Sequence, residues 1–153
     1  MHTEDEITYI KKFINDNPTA NIILASDSQR IKKKRVRFAT VVIVHYKDAH
    51  GIGKGAKIFS DVTYENVADN DLSRPYNRMM KEVELVTELY NQLEDVLILR
   101  DFEIHLDVSS DPTAGSNVAY NSAKWTIYGM TGVEPVTKPY AYGASCCADH
   151  FTK

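Results

Sequence analysis

Cysteine is almost absent from this chain of 153 residues, and the two that occur, Cys146 and Cys147, are neighbours. A bond between adjacent cysteines is strained, so no disulfide scaffold is expected. No stretch approaches the ~20 apolar residues of a membrane-spanning helix. The opening MHTEDEITYI is acidic and lacks the long apolar stretch of a signal peptide or anchor. The expectation is therefore a soluble, cytoplasmic protein with no membrane partner. Histidines at 2, 45, 50, 105 and 150 form no HxxxH pair, and no CxxC is present, which argues against zinc. Asn17-Pro18-Thr19 fails as a glycosylation site because of its proline. The GIGKG stretch at 51–55 imitates a dinucleotide fingerprint, but no helix follows it. Repeats, low-complexity tracts and linkers are also missing, and the length suits one domain over residues 1–153.

What is present reads as an α/β chain. Hydrophobic residues make up 43% and charged residues 25%, enough for a sheet-and-helix core. Ile7, Ile10, Phe13 and Ile14 recur at helical spacing over 4–16, and NDNPT stops that helix. Residues 21–26 form a short apolar strand, RFATVVIVHYK (37–47) a long β-branched one, and AKIFSDVTYE (56–65) a third. Together they predict an antiparallel meander. A polar loop at 66–74 precedes Pro75, which suits the first turn of a helix running to about Glu94. FEIHLDV (102–108) predicts a fourth strand, and SSDPTAGS a loop opening a helix through Tyr128. After GMTG, EPVTK (134–138) predicts a short strand and YGASCCADHF (142–151) a closing helix. Hairpin-connected strands followed by alternating units imply a mixed sheet with helices on both faces. Trp125, at helical spacing with Tyr128, reads as core in preference to a base-stacking platform.

Net charge is −3, from 18 basic and 21 acidic residues, but its distribution is uneven. Residues 30–37, RIKKKRVR, hold six basic residues and no acid. Such a run is either a solvated hairpin tip that discourages edge pairing or a patch that contacts phosphates and releases their counterions. Charge alone does not choose between the two.

Most of the acids read as surface residues, and four do not. Asp27 ends the first strand and Asp107 the fourth, where function often sits, although caps and turns also use carboxylates there. Asp149 lies in the small-residue segment ASCCAD. The fourth comes from helical projection. Met79, Val83, Val86, Tyr90 and Leu93 share one face of the long helix, and Glu82 falls inside that sector, whereas Glu84 and Glu88 fall opposite. An ionised Glu82 buried without a partner costs several kcal/mol, so it requires a compensating cation or a place at the sheet edge. Four acids gathered from separate segments repel one another unless a hard cation joins them, and Mg²⁺ or Mn²⁺ favours carboxylate and water ligands. Two such ions ~3.5–4 Å apart support phosphodiester cleavage.

This order of strand-Asp, meander, helix-Glu, strand-Asp and late helix-Asp resembles the ribonuclease H-like fold. The stretches ASDSQ (25–29), NRMMKEVELVTEL (77–89), IHLDVSSD (104–111) with GSN (115–117), and TKPYAYGASCCADHFTK (137–153) resemble the YkuK-type family of RNase H-related nucleases. The resemblance implies a metal-dependent nuclease acting on nucleic acid, with Asp27, Glu82, Asp107 and Asp149 as ligands of two ions. By the same analogy Asp27 bridges both ions, Glu82 and Asp107 complete one site and Asp149 the other. Well-studied RNase H enzymes usually have Gly after the first Asp, where this chain has Ser28. Ser28 and Gln29 either hydrogen-bond substrate or shape the turn. Lys138 either contacts a phosphate or is simply solvated, while Lys32, Lys33 and Lys34 are the candidate contacts of the basic run. His150 reads as an exposed terminal histidine. The rival reading is a non-catalytic nucleic-acid-binding or scaffold protein of the same fold.

Overall fold

A computed structural model of the protein describes residues 2–48, 50, 52–69 and 74–153. The first helix, α1 (Glu4–Asp16), starts where Thr3 Oγ1 accepts from the Glu6 amide at 3.2 Å. Three acids in its first turn favour the positive end of the helix dipole. Its apolar stripe, Ile7, Ile10 and Ile14, is buried.

The strands β1 (Asn21–Arg30), β2 (Arg35–Lys47), β3 (Gly53–Asn66) and β4 (Phe102–Leu106) form one mixed sheet in the order β3-β2-β1-β4. The first three are antiparallel neighbours, and β4 adds parallel to β1 with Ala25 opposite His105. The mixed sheet expected from sequence is therefore present. Beyond shifts of a few residues at other strand ends, two differences stand out. β1 does not stop at Ser26 but continues through Asp27, Ser28 and Gln29, paired with Ala39, Phe38 and Arg37. The EPVTK strand shrinks to a single parallel bridge between Val136 and His105, since Pro135 and Pro139 on either side cannot donate to a ladder. Residues 70–73 of the expected polar loop and Gly51 of the GIGKG turn lie outside the described residues.

One face of the sheet carries α1, α2 (Tyr76–Leu97) and α3 (Tyr120–Thr131), with Ile22, Leu24, Val42, Val44, Ile104 and Leu106 beneath them. A short 3₁₀ turn, Gly115–Ala119, leads into α3, and Gly132 at φ 78° ends it in the left-handed region. The opposite face presents Ile23, Ala25, Val41 and Ile43 to Ala141, Ala144 and Ala148. These alanines belong to or flank a π-helix, Gly143–Ala148, that runs into α4 (Asp149–Thr152). The expected closing helix is thus wound with an extra residue per turn, which single-sequence periodicity does not reveal. Trp125 and Tyr128 are not core. Trp125 is 64% exposed, and the inner face of α3 is made by the smaller Ala123 together with Ile127. No helix among the described residues is long and apolar enough to cross a membrane.

Candidate functional site

Side chains alternate across a strand, so Ile23, Ala25 and Asp27 share one face of β1. On β4, Glu103, His105 and then Asp107, just past the strand end, continue the same face. Asp27 therefore lies on the face covered by the π-helix and by α4, which carries Asp149, and Asp107 at the end of β4 is close enough for its charge to act on Asp27. Small residues make this approach possible. A Cβ on Gly143 would sit 2.9 Å from Ile23 Cγ2, so only glycine lets the helix come this close to the sheet.

Glu82 arrives from the other side. It is 2% exposed, as helical projection required, whereas Glu84 is on the surface, paired with Lys81 at 3.1 Å. The β1 serines hold it in place: Ser26 Oγ donates to the Glu82 carbonyl at 2.9 Å, and Ser28 Oγ donates to Glu82 Oε2 at 2.6 Å. Ser28, found where related enzymes usually carry glycine, is buried and turned toward Glu82, away from solvent. Its carbonyl accepts from Arg78 Nη1 at 3.3 Å. Arg78 stands one turn before Glu82 on the same helix face, a spacing visible in sequence although that reading passed it over.

The electrostatics tie the four acids together. Asp27, only 4% exposed, has its carboxyl pushed up to about 8, first by burial and then by the charge of Asp107. The Ser28 amide works against this rise, and a hydrogen-bonding contact with Asp149 and its charge add to it. Glu82 is pushed well above the usual carboxylate range, again chiefly by burial and then by Asp27; Ser28 and Arg78 pull it back, and Asp107 adds to the rise. Asp107 Oδ1 is buried with no hydrogen-bond partner, and its nearest cation, Lys138 Nζ, is 3.4 Å away without hydrogen-bond geometry. Asp149 Oδ2 meets Lys153 Nζ at 2.9 Å.

This donor set suits a hard divalent cation in its chemistry: oxygen ligands throughout, two buried carboxyls pushed upward for want of compensating charge, and one orphaned buried oxygen. It is not a closed ligand set. Among the described residues, no three His, Cys, Asp or Glu side chains stand close enough together to hold a metal ion. The acids are within electrostatic reach of one another, with two lysines beside them.

The expected substrate contacts fall in different places. Lys138 is beside Asp107. Gln29 is exposed on β1. Lys32, Lys33 and Lys34 are exposed at the β1–β2 hairpin, beyond the strand end and apart from the acids. Two other members of the basic run serve the fold. Arg30 Nη1 donates to the Lys33 and Val67 carbonyls, and Arg37 donates to the Thr152 carbonyl at 3.0 Å. Sequence reading missed a cleft of about 240 Å³ next to Asp107, lined by Arg78, Gly115, Ser116 and Lys138. Arg78 Nε and Ser116 Oγ are buried without hydrogen-bond partners.

Comparison with curated proteins gives no match, and comparison with solved structures gives none. The mixed sheet, the acids on β1, α2, the end of β4 and α4, and the stretches shared with the YkuK-type family all point the same way. A family model described as Ribonuclease H-like matches residues 5–153, nearly the whole chain, and the protein belongs to that family.

Proposed function

We propose that the protein is a nuclease that hydrolyses phosphodiester bonds of nucleic acid, with Asp27, Glu82, Asp107 and Asp149 as ligands for divalent metal. The observation that carries this reading is a deficit of positive charge. Asp27 and Glu82 are buried together, and burial with little compensating charge pushes both carboxyls upward, while Asp107 Oδ1 has no hydrogen-bond partner. Two Mg²⁺ or Mn²⁺ ions supply water activation and stabilisation of the leaving oxygen when bound. The chain contributes the rest. Ser28 orients Glu82 and Arg78 braces Ser28. Arg78, Ser116 and Lys138 line a cleft suited to a backbone phosphate beside the acids. Lys32, Lys33 and Lys34 meet the same backbone farther along.

A second reading, a non-catalytic nucleic-acid-binding protein, is favoured by one observation. Lys138 and Lys153 already stand beside Asp107 and Asp149, supplying positive charge from within the chain. Cleavage separates the two. Labelled RNA, DNA, hybrid and junction substrates are incubated with purified protein in Mg²⁺, Mn²⁺ and EDTA, next to Asp27→Asn and Asp107→Asn. Metal-dependent turnover by the wild type and none by either variant is expected. Binding without cleavage in Mn²⁺, or wild-type turnover by folded Asp27→Asn, overturns the nuclease reading.

A further inference from the structure

His105 is fully buried and stands apart from the four candidate ligands. It lies on β4 beneath the start of the π-helix, with Tyr142 edge-on at 4.8 Å between ring centroids. The Gly143 amide donates to His105 Nδ1 at 3.0 Å, which requires a bare lone pair on Nδ1 and so places the ring proton on Nε2. Nε2 in turn donates to Glu103 Oε2 at 2.7 Å. The bond therefore runs in one direction, from Gly143 through the imidazole to Glu103.

Gly143 is the first residue of the π-helix, where backbone amides lack partners within the helix. Its neighbours Ala144 and Ser145 both bond to the Ala141 carbonyl, while Gly143 uses the histidine. The same residue is the point of closest approach to the sheet, its absent Cβ leaving room for Ile23 Cγ2 and for His105 Nδ1 itself. From there the helix continues without interruption into Asp149. The seat of the helix is thus set by one polar contact and one steric stop, and Asp149 stands at its far end.

We infer that His105 is a positioning residue: by holding Gly143 through Nδ1, with Glu103 fixing its tautomer, it sets where Asp149 meets Asp27. Asp149, at the start of α4, stands within hydrogen-bonding reach of Asp27, so its placement is open to test whether or not the site cleaves. Its consequence for cleavage rests on the nuclease reading.

The test is a pair of side-chain replacements combined with Asp149→Asn. His105→Asn brings an amide oxygen near the position of Nδ1, whereas His105→Gln carries it out to that of Nε2, so only the first retains an acceptor for Gly143. Asn leaves the larger cavity, so lost packing alone would make His105→Asn the more damaging of the two, the reverse of the order expected from acceptor placement. Urea unfolding of metal-free protein is measured for wild type, each His105 variant, Asp149→Asn and the double variants. If His105 places Asp149, the change in unfolding constant caused by Asp149→Asn differs by at least about twofold between wild type and the His105→Gln background, as for coupled neighbours. It returns toward the wild-type value in the His105→Asn background. Additive effects in every background overturn the inference, as does equal behaviour of the Asn and Gln variants. A cleaving wild type adds a second readout: His105→Gln lowers kcat with little change in KM for nucleic acid, and His105→Asn restores part of it. A wild type that does not cleave removes the nuclease reading while the unfolding cycle still decides the role of His105.

Discussion

Replacing the titratable carboxyl of Asp27, which must take up a proton to be buried, should make the metal-free protein more stable at neutral pH, and the gain should grow with pH. The carboxyl of Asp27 rises from 3.8 in the open chain to about 8 in the fold. A group that holds its proton more tightly when folded supports the fold below its unfolded pKa and withdraws that support as pH climbs through the folded value. The window is therefore pH 3.8 to about 8, and each unit within it is worth ~1.4 kcal/mol. Across the whole window the ceiling is about 6 kcal/mol, and between pH 5 and pH 7 it is about 3 kcal/mol. Against a typical domain stability of ~5–15 kcal/mol, that is a measurable share. Asp27→Asn keeps the shape and titrates nowhere in this range. Some slope survives in the variant because burial, the largest cause of the Glu82 shift, remains. The assay is urea unfolding by far-UV circular dichroism at pH 5, 6 and 7, on chelator-treated protein at one ionic strength. Wild type should lose stability over this range more steeply than Asp27→Asn, by up to ~1.4 kcal/mol per pH unit. Parallel profiles, or a variant less stable than wild type at pH 7, would refute the reasoning.

Metal should stabilise the folded chain, by about 2.7 kcal/mol at a hundredfold excess over Kd. In thermal melts titrated to ~10 mM Mn²⁺, a weak-site range, the shift should shrink most in Asp27→Asn and less in Asp149→Asn; no shift in wild type counts against the metal site. Glu82→Gln should weaken Mn²⁺ binding in a calorimetric titration, while the exposed Glu84→Gln changes stability by no more than ~0.5 kcal/mol and leaves binding intact; equal effects contradict the assignment. Replacing Lys32, Lys33 and Lys34 by Ala should weaken nucleic-acid affinity and flatten its slope against log salt by up to ~0.9 per lost duplex phosphate contact, whereas an unchanged slope returns the tip to a merely solvated role. Gly143→Ala forces a Cβ against Ile23 and should cost ~1–3 kcal/mol by overpacking, so wild-type stability in chemical unfolding would mean the helix seat is looser than described.

Helix phase was the most legible signal in the chain. Five apolar positions along α2, Met79, Val83, Val86, Tyr90 and Leu93, are enough to set its rotation, and that rotation alone separates buried Glu82 from exposed Glu84. The end of β1 was not legible, because Ser-Asp-Ser-Gln-Arg has no apolar alternation and poor strand propensity. It stays in the sheet because β2 offers a partner for every residue to Arg30, and because Ser26 and Ser28 bond to Glu82. Tertiary context overrides local preference there. Trp125 misled for a related reason. Size and hydrophobicity suggested the core, but the space between α3 and the sheet takes Ala123 and Ile127, leaving the indole with Lys124 near its ring at 5.5 Å. The partnership of Glu103, His105 and Asp107 on one strand face was available from the two-residue period of β4. The bond from Gly143 to His105 was not, since it joins residues 38 apart in sequence.

The continuation of β1 past Asp27 has a metric consequence. At ~3.3 Å per residue along a strand, the lysines of the β1–β2 tip stand roughly 15–20 Å from that carboxyl. Successive phosphates of one duplex strand advance ~3.4 Å along the helix axis, so this distance corresponds to about five base pairs. On the proposed function the hairpin would act as a ruler: a duplex reaching fewer than about five base pairs past the acids on that side would end before the lysines, and a longer one would engage them. Affinity plotted against substrate length should then rise in a step at that point, and the step should vanish when the three tip lysines are replaced.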